Sequence, residues 1–348
     1  MRKDIERLVE LDKQKYITCS LDKLTILGDD TGNFETMINN NNFGFIERSG
    51  MAKHPYKRWF PCVDGSNIQW TDLPNFKAIR YEFNPNSIKD SKEREHARAV
   101  ADIIKTMKYP KISRYDVAFD FYGYDLSTYK IIDKVGRKKN YWVDRSDTLE
   151  TLYVGSPTAD MRIRIYNKAK EQKIEYPLNW WRVELQFRDD ACLSVQGQMI
   201  QNKQMINVTP QIPNLLNSLK IYKPGYAQLE NIQEIAMVKL LLDEPEYIKQ
   251  LTKNTRTKYK KILSTLPNEE VIDLESLFIS HHDKILKSIQ NFLLIADRND
   301  VLRQPKKDNR RNKEQLDNTI IQHDDDYYTE VESDFLLESA KIHLLYNT

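Results

Sequence analysis

"SRYDVAFDF", residues 113–121, alternates without a break: Tyr115, Val117, Phe119 and Phe121 fall on one side of an extended chain, Asp116, Ala118 and Asp120 on the other. Large apolar residues at period two do not fit a helix, so the segment predicts a strand with one buried and one polar face. The same period recurs elsewhere. In "AIRYEFNPN" (78–86), Ile79, Tyr81 and Phe83 oppose Arg80, Glu82 and Asn84 until Pro85 stops the run. "WWRVELQF" sets Trp181, Val183, Leu185 and Phe187 against Arg182, Glu184 and Gln186. "RIRIYNK" (162–168) puts Arg162, Arg164, Tyr166 and Lys168 on alternate positions, with Ile163, Ile165 and Asn167 between them. "KNYWVD" and "LETLYVG" add two β-type runs, and "GSPTAD" between Gly155 and Asp160 reads as a hairpin loop. Short strands separated by Gly, Pro, Asp and Asn turns predict a largely antiparallel sheet.

Helical spacing surrounds these strands. Residues 1–15 carry Ile5, Leu8, Val9 and Leu11 near one stripe, and residues 91–107 carry Ala97, Val100, Ala101, Ile104 and Met107. "KLTILG" (23–28) is a short β-type run, and residues 29–75 are irregular, with strand-like pieces at "FGFIER" and "RWFPCV". Beyond residue 190 strand signals fade, and helical spacing returns near 212–220, 231–242, 244–252 and 273–298. The stretch 303–318 is almost free of apolar residues, which predicts a flexible linker before a last amphipathic segment. The expected class is α+β: a central antiparallel β-sheet flanked by helices, with a C-terminal helical region. The expected division is an N-terminal helix (1–20), a sheet domain (21–210), a helical region (211–302) and a charged tail (303–348).

Composition narrows the function. The chain has 348 residues, 40% of them hydrophobic and 30% charged, which suits a globular protein with a charged surface. No apolar run reaches membrane-spanning length, and the charged N-terminus lacks the apolar core of a secretory signal, so the expected location is the cytoplasm, without membrane association. Cys19, Cys62 and Cys192 are far apart and odd in number, which argues against a disulfide framework. His281 and His282 are adjacent and cannot grip one metal at the i, i+4 spacing of a helix. Any metal would rest mainly on carboxylates. The net charge of +2 conceals a basic stretch at 249–261 and an acidic one at 323–335, and local clusters rather than the total set the footprint for nucleic acid.

The polar faces carry the chemistry. Asp116 and Asp120 share a strand face but lie roughly 13 Å apart along it, so a regular strand does not easily bring both onto one ion. A residue on a paired strand is closer, roughly 5 Å across the ladder, and Glu184 is such a residue if its strand neighbours 113–121. Two acids so placed repel each other unless a cation lies between them, and Mg²⁺ or Mn²⁺ prefers oxygen ligands. Charges on one strand's solvent face are ordinary; the case rests on several strands doing this together, one with a tyrosine among cations. Tyr166 is then a candidate nucleophile, with Arg164 and Lys168 favouring its phenolate and neutralising a phosphate. Attack on a phosphodiester exchanges one phosphodiester for another, so the cut is reversible without ATP.

Five blocks, "IRYEFNPN", "ISRYDVAFDF", "RIRIYNK", "WWRVELQ" and "NTRTKYKKI", resemble those of the Rep_trans family in order and spacing. The family comprises rolling-circle replication initiators of Gram-positive plasmids, with relatives among relaxases of integrative conjugative elements. The resemblance covers roughly residues 20–300. It implies a nicking tyrosine at Tyr166 and an acidic Mg²⁺ or Mn²⁺ site at Asp116, Asp120 and Glu184; Glu82 and Arg182, on the polar faces of their strands, are candidate supporting partners. One aspartate is expected to stand outside the direct metal ligands. It implies origin reading by Asn254, Thr255, Arg256, Thr257, Lys258 and Lys260, whose cations serve phosphates, guanine edges or both. It also implies plasmid origin DNA, a superfamily 1 helicase and a second copy of the chain as partners. A conjugative relaxase of the same chemistry and a non-catalytic origin-binding repressor are the alternatives.

Overall fold

The computed structural model describes residues 2–40, 44–50, 52, 55–62, 65–73, 76–87, 99, 102–174, 178–188, 191–192 and 211–297. Its elements run α1 (Arg2–Gln14), β1 (Ile17–Asp30), α2 (Phe34–Asn39), β2 (Arg58–Pro61), β3 (Asn67–Leu73), β4 (Phe76–Phe83), β5 (Met107–Tyr122), β6 (Lys130–Asp133), β7 (Lys139–Val143), β8 (Leu149–Val154) and β9 (Met161–Asn167). They continue with α3 (Lys168–Glu171), β10 (Trp180–Arg188), α4 (Gln211–Asn217), β11 (Leu219–Pro224), α5 (Ile232–Asp243), α6 (Lys253–Thr265), β12 (Asn268–Ile272) and α7 (Leu274–Asp297). Among the described residues, nine strands form one antiparallel sheet in the order β2-β3-β4-β1-β5-β10-β9-β8-β7, and a small sheet runs β12-β11-β6. This is the α+β class expected.

The alternation in β5 and β10 explains why they lie near the centre. Tyr115, Val117, Phe119 and Phe121 of β5, with Val183, Leu185 and Phe187 of β10, are all buried on one face. Ile163 and Ile165 of β9 and Leu21, Leu24 and Ile26 of β1 extend that face, and Leu274, Phe278 and Ile285 of α7 belong to the same core. Burying a Leu or Phe side chain contributes about 1.5–3 kcal/mol, so this apolar layer fixes which way each polar partner points. The loop 155–160 closes the β8–β9 hairpin as expected.

Two local readings need correction, and one proline takes an unexpected place. The helical spacing assigned to 91–107 includes Met107, yet Met107 opens β5; residues 102–105 are helical, and Thr106 ends the helix by donating its hydroxyl to the Ile103 carbonyl at 2.6 Å. Residues 88–98 lie outside the described residues, as does the tail from 298. Pro110 lies inside β5, because it falls where the β1 pairing shifts between Leu27–Lys111 and Asp29–Lys108 and beyond the reach of β10, whose pairing ends at Arg114. Its missing N–H donor is tolerated at such an irregularity. Strands also continue past residue 190: β11 pairs with both β6 and β12. At the far end of β5, Gly123 (φ +77°) turns the chain against α1, where a Cβ would stand 2.1 Å from the Asp12 carbonyl oxygen. Only glycine fits that turn.

Residues 226–266 hold a second, smaller core of Val238, Leu241 and Tyr259 inside α5, α6 and the 3₁₀ turn Pro245–Gln250. Asn231 caps α5 by accepting from the Glu234 amide at 2.9 Å, and Glu234 accepts from the Glu230 amide at 3.0 Å. On either side of this unit the chain returns to the main body, through β11 paired with β6 and through α7 against β1. No helix among the described residues is long and apolar enough to cross a membrane.

Candidate active site

The pairing registers turn the polar faces of five strands into a grid. One rung runs Lys23–Asp116–Gln186–Arg162, the next Ser20–Ala118–Glu184–Arg164–Tyr153, and the third Thr18–Asp120–Arg182–Tyr166–Thr151. Glu184 therefore stands opposite Ala118, the one small residue between the two aspartates, and this leaves space for its carboxylate. On the other side Tyr166 reaches back along the grid, and its hydroxyl donates to Glu184 Oε2 at 3.4 Å. Tyr166 is 2% exposed and Glu184 5%, so the contact lies inside the fold.

Cations enclose this pair. The Arg164 guanidinium lies 3.9 Å from the centre of the Tyr166 ring, and the Lys168 amine 5.5 Å from it. Among the described residues Arg164 Nε has no hydrogen-bond partner despite its burial. Lys168 is not on the strand: Asn167 caps α3 by accepting from the Lys170 amide, and Lys168 opens that helix, paired with Glu171 at 2.5 Å. Gln186 Nε2 donates to Glu184 Oε1 at 2.6 Å, and Arg114 approaches the same oxygen at 3.9 Å.

Burial raises the Tyr166 phenol well above its usual range, and the neighbouring Glu184 charge adds to this against the opposing pull of Arg182 and Arg164. Spacing had suggested that cations would favour the phenolate. In this closed arrangement desolvation wins, and the tyrosine is a neutral donor. Glu184 behaves oppositely: burial would raise it, but Arg164, Arg114, the Gln186 hydrogen bond and Arg182 together hold it below the usual carboxylate range. The pair is thus a phenol facing an ionised carboxylate.

The three acids expected to share a metal have different partners. Asp116 takes a bidentate bond from Arg114, at 3.0 and 2.8 Å. Burial, reinforced by Glu184, nevertheless pushes Asp116 up to about 6. Asp120 takes a bidentate bond from Arg182, both contacts 2.9 Å, and a third from the Trp180 indole at 2.8 Å. Among the described residues no three acidic, His or Cys side chains converge with metal-ligand spacing. Asp116 and Glu184 repel each other across one guanidinium, a charge that a hard divalent cation would offset; Asp116 and Asp120 are each held bidentately by an arginine, and among the described residues Asp120 alone of the two takes a third bond, from Trp180. Glu82 lies two strands from Asp116, bound to Lys23 (3.2 Å), Arg80 (2.8 Å) and the Thr25 hydroxyl (3.3 Å). Burial would raise it, and the Lys23, Arg80 and Arg114 charges hold it far below the usual range.

Sequence reasoning missed two members of the grid. Arg114 shares the parity of Asp116 and was findable on that ground. Asp22 was not: it lies at an irregularity in the β1–β5 pairing between Leu21 and Lys23, and there its carboxylate accepts from Arg182 at 2.8 Å.

In α6 the expected DNA readers divide. Arg256 donates to the carbonyls of Ile248, Lys249 and Leu251, closing the end of the preceding 3₁₀ turn. Lys258 pairs with Glu234 at 2.9 Å, Thr257 donates to the Lys253 carbonyl, and Thr255 shares a hydrogen bond with the capping Thr252. Asn254, Thr257, Lys258 and Lys260 are exposed, as are Lys253 and Lys261, which the expectation did not include.

The sequence matches the model of Rep_trans, described as a replication initiation factor, over residues 110–289, more than half of the 348-residue chain. The chain belongs to the Rep_trans family. The matched span starts within β5 and ends within α7, so it contains Asp116, Asp120, Tyr166, Glu184 and all of α6; Asp22, Lys23 and Glu82 lie before it. Two replication initiation proteins from Staphylococcus aureus are each 29% identical to this Rep_trans chain, over 216 and 221 residues, covering 61% and 62% of it. The chain spans 62% and 64% of their lengths, less than two thirds of the curated relatives it matches. The structure of a rolling circle replication initiator protein from Geobacillus stearothermophilus aligns over 63% of this chain and 91% of that one, at 17% identity and a TM-score of 0.39.

Proposed function

We propose that this Rep_trans protein initiates rolling-circle replication by cutting one strand of a plasmid origin, with Tyr166 as nucleophile and a phosphotyrosyl ester as intermediate. The observation that carries the reading is the phenol of Tyr166 donating to an ionised Glu184 beneath Arg164, within a family of replication initiation factors.

Tyr166 and Glu184 are buried, so the reaction begins when the polar face opens to admit the scissile phosphate. Arg164, whose Nε lacks a partner among the described residues, donates to a non-bridging oxygen, and Lys168 adds positive charge beside it. As Tyr166 Oη bonds to phosphorus its proton becomes acidic and passes to Glu184, a general base already in contact with it. The bond from phosphorus to the 3′ oxygen breaks, the 3′ oxygen takes a proton from solvent, and the 5′-phosphate remains on Tyr166. One phosphodiester replaces another, so the 3′-hydroxyl primes synthesis and its return attack rejoins the strand. Asp116 and Glu184 would hold a Mg²⁺ or Mn²⁺ ion, which when bound polarises the scissile phosphate.

Arg182 has a positioning role. Its guanidinium joins Asp120 and Asp22, which ties β10 to β5 and β1, while in the ladder it stands opposite Tyr166 and so backs the face where Glu184 meets the phenol. Exposed Lys253, Asn254, Lys260 and Lys261 on α6 supply contacts to the origin duplex.

The test is incubation of supercoiled plasmid carrying the cognate origin with wild-type protein and Tyr166→Phe, with Mg²⁺ or with EDTA. The wild type relaxes the plasmid only with the cation, and Tyr166→Phe binds the origin without cutting it. Cutting by Tyr166→Phe at the wild-type rate would overturn the nucleophile assignment; cutting in EDTA would overturn the role given to the cation.

A further inference from the structure

The third rung of the grid does not stop at Thr151. Trp142 on β7 pairs with Thr151, which pairs with Tyr166, so the three share one face of the sheet. Two strand spacings separate Trp142 from Tyr166, roughly 10 Å between backbones. β7 is the last strand of the sheet, and Trp142 is 57% exposed there. An exposed indole on an edge strand invites aggregation and calls for a reason. The next strand position, Tyr141, pairs with buried Leu152 and faces the other way, so Trp142 alone of the two looks along the catalytic face.

The surrounding charge suits a polyanion. Of the three acids in the hairpin, Asp144 and Glu150 are both taken by Lys170, at 3.0 and 2.8 Å, and exposed Asp147 sits in the turn beside Arg145. Arg145, in the β7–β8 turn, is exposed and has no ion pair among the described residues. Arg164 lies in the adjacent rung, with Tyr153 beside it. An exposed aromatic surface on the same sheet face as Tyr166, with Arg145 in the adjoining turn and Arg164 in the adjacent rung, matches the way unpaired nucleic acid is held: bases stack and phosphates meet positive charge.

We propose that Trp142 is a stacking platform for an unpaired base of the cut strand, near the phosphate that Tyr166 attacks. The proposal deepens the nicking reading, naming single-stranded DNA as the form held at the site. Stacking makes Trp142 a positioning residue, ordering the strand so that the phosphate reaches Arg164 and Tyr166.

The experiment measures binding of a fluorescent twelve-nucleotide oligothymidylate to the full chain carrying Tyr166→Phe, with and without Trp142→Ala or Trp142→Phe. A second probe has the same backbone with abasic sites in the middle. Trp142→Ala is expected to weaken oligothymidylate binding about 5- to 150-fold, the range for losing one stacked base, and Trp142→Phe to retain most of the affinity. The abasic probe should bind both proteins equally weakly. Affinity of Trp142→Ala within about twofold of its parent, or the same loss with the abasic probe, would overturn the stacking role. Neither readout requires cutting, so failure of the Tyr166 assignment would appear separately in the plasmid assay.

Discussion

Asp116→Asn offers an unusual expectation: a substitution in the site that stabilises the fold at neutral pH. Asp116 is 1% exposed and lies near Glu184, and burial with that repulsion lifts it to about 6 despite the bidentate bond from Arg114. Its unfolded value is ordinary, ~3.9. A carboxyl raised on folding contributes stability that is fully present below the unfolded value and is lost as pH rises through the folded one. The loss is complete well above pH 6, and the distance from ~3.9 to about 6 corresponds to roughly 3 kcal/mol. Asparagine mimics the neutral acid and carries no such penalty. Thermal unfolding of the full chain should therefore show Asp116→Asn level with wild type near pH 4 and several degrees higher at pH 8. Mg²⁺ should reverse the order by raising the wild-type midpoint and leaving the variant's unchanged, while cation-dependent cutting is lost in the variant. A variant that melts below wild type at pH 8, or a difference that does not change with pH, would refute the argument.

The basic helix gives a contrasting pair of expectations. Replacing Lys253, Lys260 and Lys261 with Ala should weaken origin binding and flatten its salt dependence by about 0.9 per phosphate contact removed, measured by anisotropy at several salt concentrations. Arg256→Ala should instead lower the stability of the 226–266 unit by about 1–3 kcal/mol, because three carbonyls lose a charged donor, and hydrogen exchange would locate the loosening. Asp120→Ala leaves Arg182 buried with Asp22 as its remaining carboxylate; it should cost about 3–5 kcal/mol in chemical unfolding, and an effect under about 1 kcal/mol would contradict the structural role given to that pair.

The strands and their faces were legible because alternation is a physical requirement of a half-buried sheet. Tyr115 to Phe121, Trp181 to Phe187 and Arg162 to Tyr166 all face as their parity demanded. The meeting of Tyr166 with Glu184 followed from that parity once β9 and β10 became neighbours. The different partners of Asp116 and Asp120 were not legible, because they depend on register: Arg182 falls opposite Asp120 and binds it, whereas Gln186 falls opposite Asp116, which is bound instead by Arg114 of its own strand. Asp22 enters through an irregularity in pairing, which alternation cannot reveal. β11 and β12 escaped notice because both are short and lie between helical segments. The cations of α6 were visible, but which of them caps a carbonyl depends on how the helix sits against the preceding turn.

The central claim is a bond between one named oxygen and DNA. Wild-type protein is trapped on origin DNA in Mg²⁺, digested with protease and nuclease, and the nucleotide-bearing peptide is sequenced by mass spectrometry. The account expects a phosphodiester on Tyr166, in a peptide containing "IYNK". A nucleotide attached to any other residue, or a cut strand with no protein attached, would contradict it.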